Sequence, residues 1–506
     1  MIPGMSGRAL PDVSRLALVP AEALRRFRAR LSEIGLTEDY VAEITKLGDS
    51  QLGLLGRPLQ NWHARRKREP AAYAARMLLL EDPVTADEAR EALGTDLVDA
   101  LTAGGLIVAS ADGRLVSPFE LVVTERICLI SDHLDEGSED AVMGATSTTA
   151  ILCQASLPER PVERMLDLGC GAGSCALLLT HRAATAVGTD VNARAIVLSR
   201  INAAMNEIGN VSFREGDLFA PVTGEQFDLI VSQPPWFAKP TDVDDRVYLF
   251  GGSRGDEISL RILRELPPYL NARGRAMLLV EWPVINGDPI EDRVADAVTQ
   301  DDCNVLLLRF PPKELDDYCT RYAALENPRL GPDFERSVVH RREHLEKLGI
   351  CGTMIALVVI QRNPDGLEWA GSVDVHAADT DWITAARIDR MIAARDLLAG
   401  DPTRLLATRL RVPEGTVFAR EYKLGHPATP TVSARFPHEA LVGNVQLGPG
   451  AQLLLTLLNE APDAQSAIRR YAEGEKMSFE AAFGRLMPHL GESLLAGMLE
   501  PVTASS

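Results

Sequence analysis

Positive charge is scarce in this chain: 52 Lys and Arg stand against 71 Asp and Glu, a formal net charge of −19 over 506 residues. Such an excess repels phosphate backbones and gives no long-range steering toward nucleic acid. Two short basic runs, HARRKR at 63–68 and HRREH at 340–344, are the candidates for a local patch, but charge runs of this kind usually form solvated faces. Cysteine is sparse: seven residues, odd in number, scattered and without a C-x-x-C pair. That argues against a disulfide framework and a thiolate zinc site, so no metal is expected, and it fits a reducing cytoplasm. No apolar stretch reaches the roughly 18 residues that a membrane span requires. The start, MIPGMSGRALPDVSRLALVP, lacks the apolar block of a secretory leader. The expectation is a cytoplasmic chain with no membrane contact.

What is present divides along the sequence. A chain this long exceeds one core, and about two to four domains are expected. Residues 1–70 read as a polar helical segment, clearest in PAEALRRFRARLSEIG. Residues 71–130 read as three helices and a hairpin: AAYAARMLLL, then ADEAREAL capped by Thr85, then DLVDALTA, then a turn at Asp112-Gly113. That order resembles a winged helix, here more naturally an accessory module than a DNA reader. From about 160 to 365 apolar runs alternate with helical patterns. RMLDLG, TAVGTDV, VSFREGD, FDLIVSQ, RAMLLVEWPV, NVLLLRF and TMIALVVIQ supply seven strands of a mostly parallel sheet covered on both faces. The pattern breaks at QRNPDG, 361–366, and residues 371–506 read as a mixed α+β accessory region that would cover substrate, form a homodimer or bind a carrier domain.

The most informative stretch is MLDLGCGAGS, 165–174. An apolar strand ends at Asp167, Gly169, Gly171 and Gly173 follow, and a helical run begins. Glycines let the backbone turn sharply and approach a ligand, and the helix start offers free N–H groups. The dinucleotide pattern G-x-G-x-x-G would need glycine where Ser174 stands. Two later strands also end in acids, Asp190 and Asp217, with Leu218 next. All three strand ends fall on the carboxyl edge of the sheet, where open α/β folds bind ligands, and a carboxylate at the second of them can accept hydrogen bonds from ribose hydroxyls.

The D-x-G-x-G-x-G spacing resembles the first motif of class I S-adenosylmethionine-dependent methyltransferases, and the likeness covers roughly 145–365. The resemblance implies a Rossmann-like seven-stranded core and S-adenosyl-L-methionine as cofactor. It implies that the glycine loop and Asp167 face the methionine part and its amino group. Asp217 or a neighbouring backbone group would read the adenine amine, and Leu218 would pack on the ring. A helix over TSTTAILCQAS, 146–156, would cover the cofactor, with Thr146 or Thr148 touching it or only capping the helix.

After the fourth strand comes Gln233-Pro234-Pro235-Trp236. Two prolines cannot continue a central strand, so the chain must leave the sheet stiffly there. The stretch resembles the Asn-Pro-Pro-Tyr or Asp-Pro-Pro-Tyr motif of the N-methylating subset of the family. A fixed Pro234 carbonyl and a side-chain oxygen at 233 would anchor the N–H groups of a planar nitrogen, and Trp236 would stack on it. Gln233 departs from the motif by one methylene, so it either carries the acceptor or only shapes the pocket. Phe237, Tyr248, Phe250, Glu281 and Trp282 are expected to line the substrate pocket, and Gly251-Gly252 to let a loop flex over it. N-methylation ranks above O-methylation. A small planar molecule ranks first as substrate. A protein or peptide glutamine comes second, as in release-factor glutamine methyltransferases, and a ribosomal RNA base last.

Overall fold

The computed structural model describes residues 10–45, 56–133, 139–240, 247–298, 302–326, 331–363, 368–375, 383–423, 426–436 and 444–502. The first nine residues of the N-terminal stretch and half of the expected break at QRNPDG lie outside these residues. Among the described residues no helix is long and apolar enough to cross a membrane.

The seven expected strands all form: β1 (Val162–Leu168), β2 (Ala183–Asp190), β3 (Val211–Glu215), β4 (Phe227–Ser232), β5 (Leu270–Ile285), β6 (Cys303–Arg309) and, after the short β7 (Lys313–Glu314), β8 (Ile350–Arg362). A further strand, β9 (Ala370–Asp374), pairs parallel with β6, so the sheet has nine strands rather than seven. The order is β3-β2-β1-β4-β5-β8-β6-β9, with β7 alongside β8. Only β8 runs against the rest: it is antiparallel to β5, β6 and β7. The direction of winding reverses between β1 and β4, which places a ligand crevice at their carboxyl ends.

Both faces of the sheet are covered. Along β5, Leu278, Val280 and Trp282 enter one apolar cluster, while Met277 and Leu279 enter another on the opposite face. Pro283 does not end β5. Pairing with β4 stops at Leu278, so beyond it one side of β5 is open and the missing N–H costs no ladder bond there.

The N-terminal helices share one core with the helix Ala193–Met205: Ala195, Leu198, Ile201 and Met205 pack with Leu16, Phe27 and Leu101. Asn202 and Asn206 of that helix hydrogen-bond the backbone N–H and C=O of Ile130 and Cys128, satisfying the edge of the strand Cys128–Ser131. Helices Pro70–Leu78, Ala86–Leu93 and Thr95–Ala103 precede a short hairpin, Val108–Ala109 with Leu115–Val116. Thr85 and Glu88 form a reciprocal capping box at the start of the second helix. The C-terminal region has its own core around Leu454, Ile468, Tyr471 and Leu490, with a three-stranded antiparallel sheet.

Candidate active site

A cavity of about 240 Å³ opens at the β1–β4 crevice. Its walls include Asp167, Gly169, Gly171, Asp190, Asp217, Leu218, Thr146, Gln233, Pro234, Trp236, Phe237 and Tyr248. Twelve residues singled out in the sequence therefore meet in one place.

The glycine loop turns through left-handed backbone, with φ of 75°, 53° and 83° at Gly169, Gly171 and Gly173. Gly173 does not reach the cavity. It starts the helix Ser174–Leu179 and lies against Ser199 and Phe213. Asp167 is buried, and its carboxylate accepts the Ala176 N–H of that helix at 2.7 Å. Burial, with Asp190 nearby, pushes its pKa up to about 7 against the pull of that hydrogen bond. Asp190 accepts from Gly171 N–H at 2.8 Å through one oxygen and from Asn192 N–H at 2.9 Å through the other. Burial raises its pKa, while these backbone donors oppose the rise. A carboxylate has about four acceptor positions, so each Asp190 oxygen keeps one for a vicinal diol.

Asp217 also stands on the cavity wall. Both its oxygens are taken by Arg261, at 3.2 and 2.7 Å. An adenine amine there would meet backbone or share this carboxylate. Leu218 follows with φ 44°, a left-handed conformation costly for a branched side chain and typical of ligand-facing turns. Ile258 and Ile262 stand on the same wall.

At the end of β4 the carboxamide of Gln233 is fixed by the threonines at the start of the helix Ser147–Ser156. The Thr149 hydroxyl accepts the Thr146 N–H at 3.1 Å and donates to Gln233 Oε1 at 3.1 Å. Gln233 Nε2 donates to Thr148 Oγ1 at 2.5 Å. One amide hydrogen and one oxygen lone pair remain. The chain then folds back. Phe237 pairs with Phe250 in a short parallel ribbon, and Lys239 N–H donates to Gly252 O at 2.8 Å. The glycines here allow close packing: a Cβ at Gly255, whose φ is 97°, would fall 2.5 Å from the Trp236 carbonyl oxygen. Asp256, fully buried, accepts from Arg254 and Arg293 and anchors the loop.

Three expected pocket residues lie off the cavity wall. Phe250 is buried with Phe237, Tyr318 and Cys319. Trp282 points into the sheet core because β5 continues past the crevice. Glu281 is a satisfied buried carboxylate, accepting from Thr353 at 2.6 Å, Tyr322 at 2.7 Å and Lys313 at 3.1 Å. It acts at one remove, since the Tyr322 ring stands 3.9 Å from that of Phe237. The basic runs are engaged as well. Arg65 pairs with Asp82, Lys67 with Glu43 and Arg342 with Asp316. His344 meets the Ser253 carbonyl of the loop at 2.9 Å. Among the described residues no group of three His, Cys, Asp or Glu could hold a metal ion.

The sequence reading missed the segment Ala141–Gly144, together with Asn192, Arg261 and the isoleucines. The TSTT run was a readable signal for the Gln233 clamp. The others carry no short-range signature.

The donor set suits an S-adenosyl nucleoside: a glycine cradle, a diol acceptor, a buried acid and an apolar wall. A model of the methyltransferase small domain matches residues 144–248. A putative protein N5-glutamine methyltransferase of Methanocaldococcus jannaschii is 35% identical over 137 residues, 26% of this chain and 68% of that protein. A ribosomal protein uL3 glutamine methyltransferase of Xanthomonas campestris pv. campestris is 34% identical over 125 residues, 23% of this chain and 41% of that protein. A release factor glutamine methyltransferase of Xylella fastidiosa is 42% identical over 77 residues, 15% of this chain and 28% of that protein. The chain thus spans less than half the length of the latter two.

Proposed function

Because this chain belongs to the S-adenosylmethionine-dependent methyltransferases of the small-domain family, we propose that it methylates the side-chain amide nitrogen of a glutamine in a protein substrate. This reverses the order expected from the sequence, which put a small planar molecule first. The similar proteins named above are glutamine methyltransferases, and they favour the protein side chain. The single observation carrying the reading is the Gln233 carboxamide, held by two threonines on the wall of the same cavity as Asp190. Its spare donor and acceptor match the C=O and N–H of another primary amide, and would refuse a carboxylate, which only accepts. In the same reading, residues 71–130 are a winged-helix-like accessory module, and the second such region, 371–506, lends its first strand and helix to the catalytic sheet.

The cofactor supplies a methyl carbon activated on a sulfonium. An amide nitrogen is a poor nucleophile because its lone pair is delocalised. The work of the protein is therefore to aim it and to hold its hydrogens as positive charge develops. The Pro234 carbonyl, rigid between two rings, and Gln233 Oε1 are the acceptors for those hydrogens. Trp236 provides a flat wall. The acids on the cavity wall are already bonded to backbone or to Arg261. The nitrogen gives up its proton to solvent after the new bond forms, when it is strongly acidic.

The test is incubation with methyl-labelled cofactor and a cell extract, followed by acid hydrolysis of the protein fraction. N5-methylglutamine releases volatile labelled methylamine, and that is the expected product. Label confined to small molecules or RNA would overturn the reading. Thr148→Val, which cannot accept from Gln233, should lower kcat ten- to hundredfold, about 1.4–2.7 kcal/mol, with cofactor affinity changed much less.

A further inference from the structure

One wall of the cavity is not built by the sheet or its helices. Ala141, Val142, Met143 and Gly144 form a strap without helix or strand that lines it, and all but Gly144 precede the matched family domain. Four attachments hold the strap. Val142 is bonded through both its backbone groups to Asp132. Its N–H donates to Oδ2 at 2.9 Å, and its carbonyl accepts the Asp132 N–H at 2.9 Å. The Asp140 carbonyl accepts from Asn192 Nδ2 at 2.9 Å, and the Glu139 carbonyl accepts from Val247 N–H at 3.2 Å. Gly144 presses on Ser131 so closely that a Cβ would lie 2.6 Å from its Oγ.

Asp132 is fully buried and is gripped from the other side by Arg194. Nε donates to Oδ2 at 2.8 Å and Nη2 to Oδ1 at 2.6 Å. The third guanidinium nitrogen, Nη1, donates to the Pro11 carbonyl at 2.7 Å. Arg194 sits two residues after Asn192 and four after Asp190, at the start of the helix that leaves the diol-binding strand end. The pair therefore joins three things: the N-terminal module, the strap, and the turn that carries the cofactor-facing acid.

We propose that Asp132 and Arg194 are positioning residues for the cofactor: their buried ion pair fixes the 139–144 strap as the cavity's outer wall, so that the N-terminal module completes the nucleoside site. This rests on the cofactor alone and is independent of the glutamine substrate. If the strap occupies its place in only one molecule in ten, apparent cofactor affinity drops tenfold with no change to any contacting side chain. Asp132→Asn removes the charge and one of the two fork contacts. Arg194→Lys keeps the charge but cannot span both oxygens.

The experiment is calorimetric titration of the full-length chain with S-adenosylhomocysteine, with no acceptor substrate present. We expect Asp132→Asn to weaken binding at least tenfold and Arg194→Lys by a smaller factor. A pair that serves only to dock the N-terminal helices would lower the melting temperature and leave that affinity unmoved, and this result in a folded variant would overturn the proposal. Should Asp132→Asn fail to fold, hydrogen exchange on the wild-type chain decides. S-adenosylhomocysteine should slow exchange of the Val142 and Asp132 amides, whereas unchanged rates there, under saturating ligand, would overturn it.

Discussion

Replacing Asp167 by asparagine should make the cofactor-free protein more stable at pH 8 and, at the same pH, a weaker binder. The carboxyl is buried beneath the glycine loop and ionises near pH 7 instead of its ordinary 3.8. For an acid raised in the folded state, the contribution to stability is complete below the unfolded pKa and is lost as pH climbs through the folded one. At about 1.4 kcal/mol per pH step, the ionised carboxylate costs the empty fold about 4 kcal/mol by pH 8. Asparagine keeps an acceptor for the Ala176 N–H, but a neutral one, which gives back about 1 kcal/mol. The net gain at pH 8 is about 3 kcal/mol and most of it vanishes at pH 5, where the native carboxyl is already protonated. Urea titrations read by pulse-labelled hydrogen exchange of β1 peptides report opening of this sheet alone. Cofactor affinity should move the opposite way. The wild type should bind more tightly as pH rises through 7, and the variant should be flat and at least tenfold weaker at pH 8. A variant that is less stable than wild type at pH 8, or a stability gap equal at pH 5 and 8, would refute the reasoning.

Asp190→Ala removes an acceptor for two hydroxyls and the brace between Gly171 and Asn192. Charged hydrogen bonds of about 1.5–3 kcal/mol each make the expected loss of S-adenosylhomocysteine affinity about hundredfold or more, by calorimetry. Trp236→Ala should abolish turnover while that affinity persists, and joint loss of both would mean the substrate wall is misplaced. Gly255→Ala drives a methyl into the Trp236 carbonyl at a left-handed φ. It should cut kcat by two orders of magnitude or more, with cofactor affinity within about threefold, in steady-state assays.

The strands, the glycine loop and the three strand-end acids were legible because each depends on a short-range pattern: apolar runs bounded by turn residues, and glycine where the backbone must turn. What escaped depends on distant pairing. Nothing near Asp217 announces that Arg261, 44 positions on, will occupy its carboxylate. Residues 139–144 carry no periodicity, and their place follows from Asp132 and Arg194. Trp282 was expected on the pocket wall as one of the last residues of the fifth strand. β5 instead keeps its antiparallel partner β8 through Ile285, and side-chain alternation then sends the indole inward. Gly251 and Gly255 also meet backbone that no short pattern shows: Gly251 lies against the Pro235 carbonyl and Gly255 against that of Trp236.

β9 carries a consequence for how this protein can be divided. It caps the outer ladder of β6, and Val375, Ile383, Ile388, Met391 and Ile392 roof the sheet face formed by Leu306, Leu308, Leu357 and Val359. A fragment cut at the usual end of such a core, near residue 365, would present an unpaired, leucine-rich border and a bare apolar floor, the template for edge-to-edge aggregation. Loss of the residues beyond that cut would therefore show first as insolubility, before any question of substrate choice arose, and the portion that looks like an add-on is part of what closes the catalytic sheet.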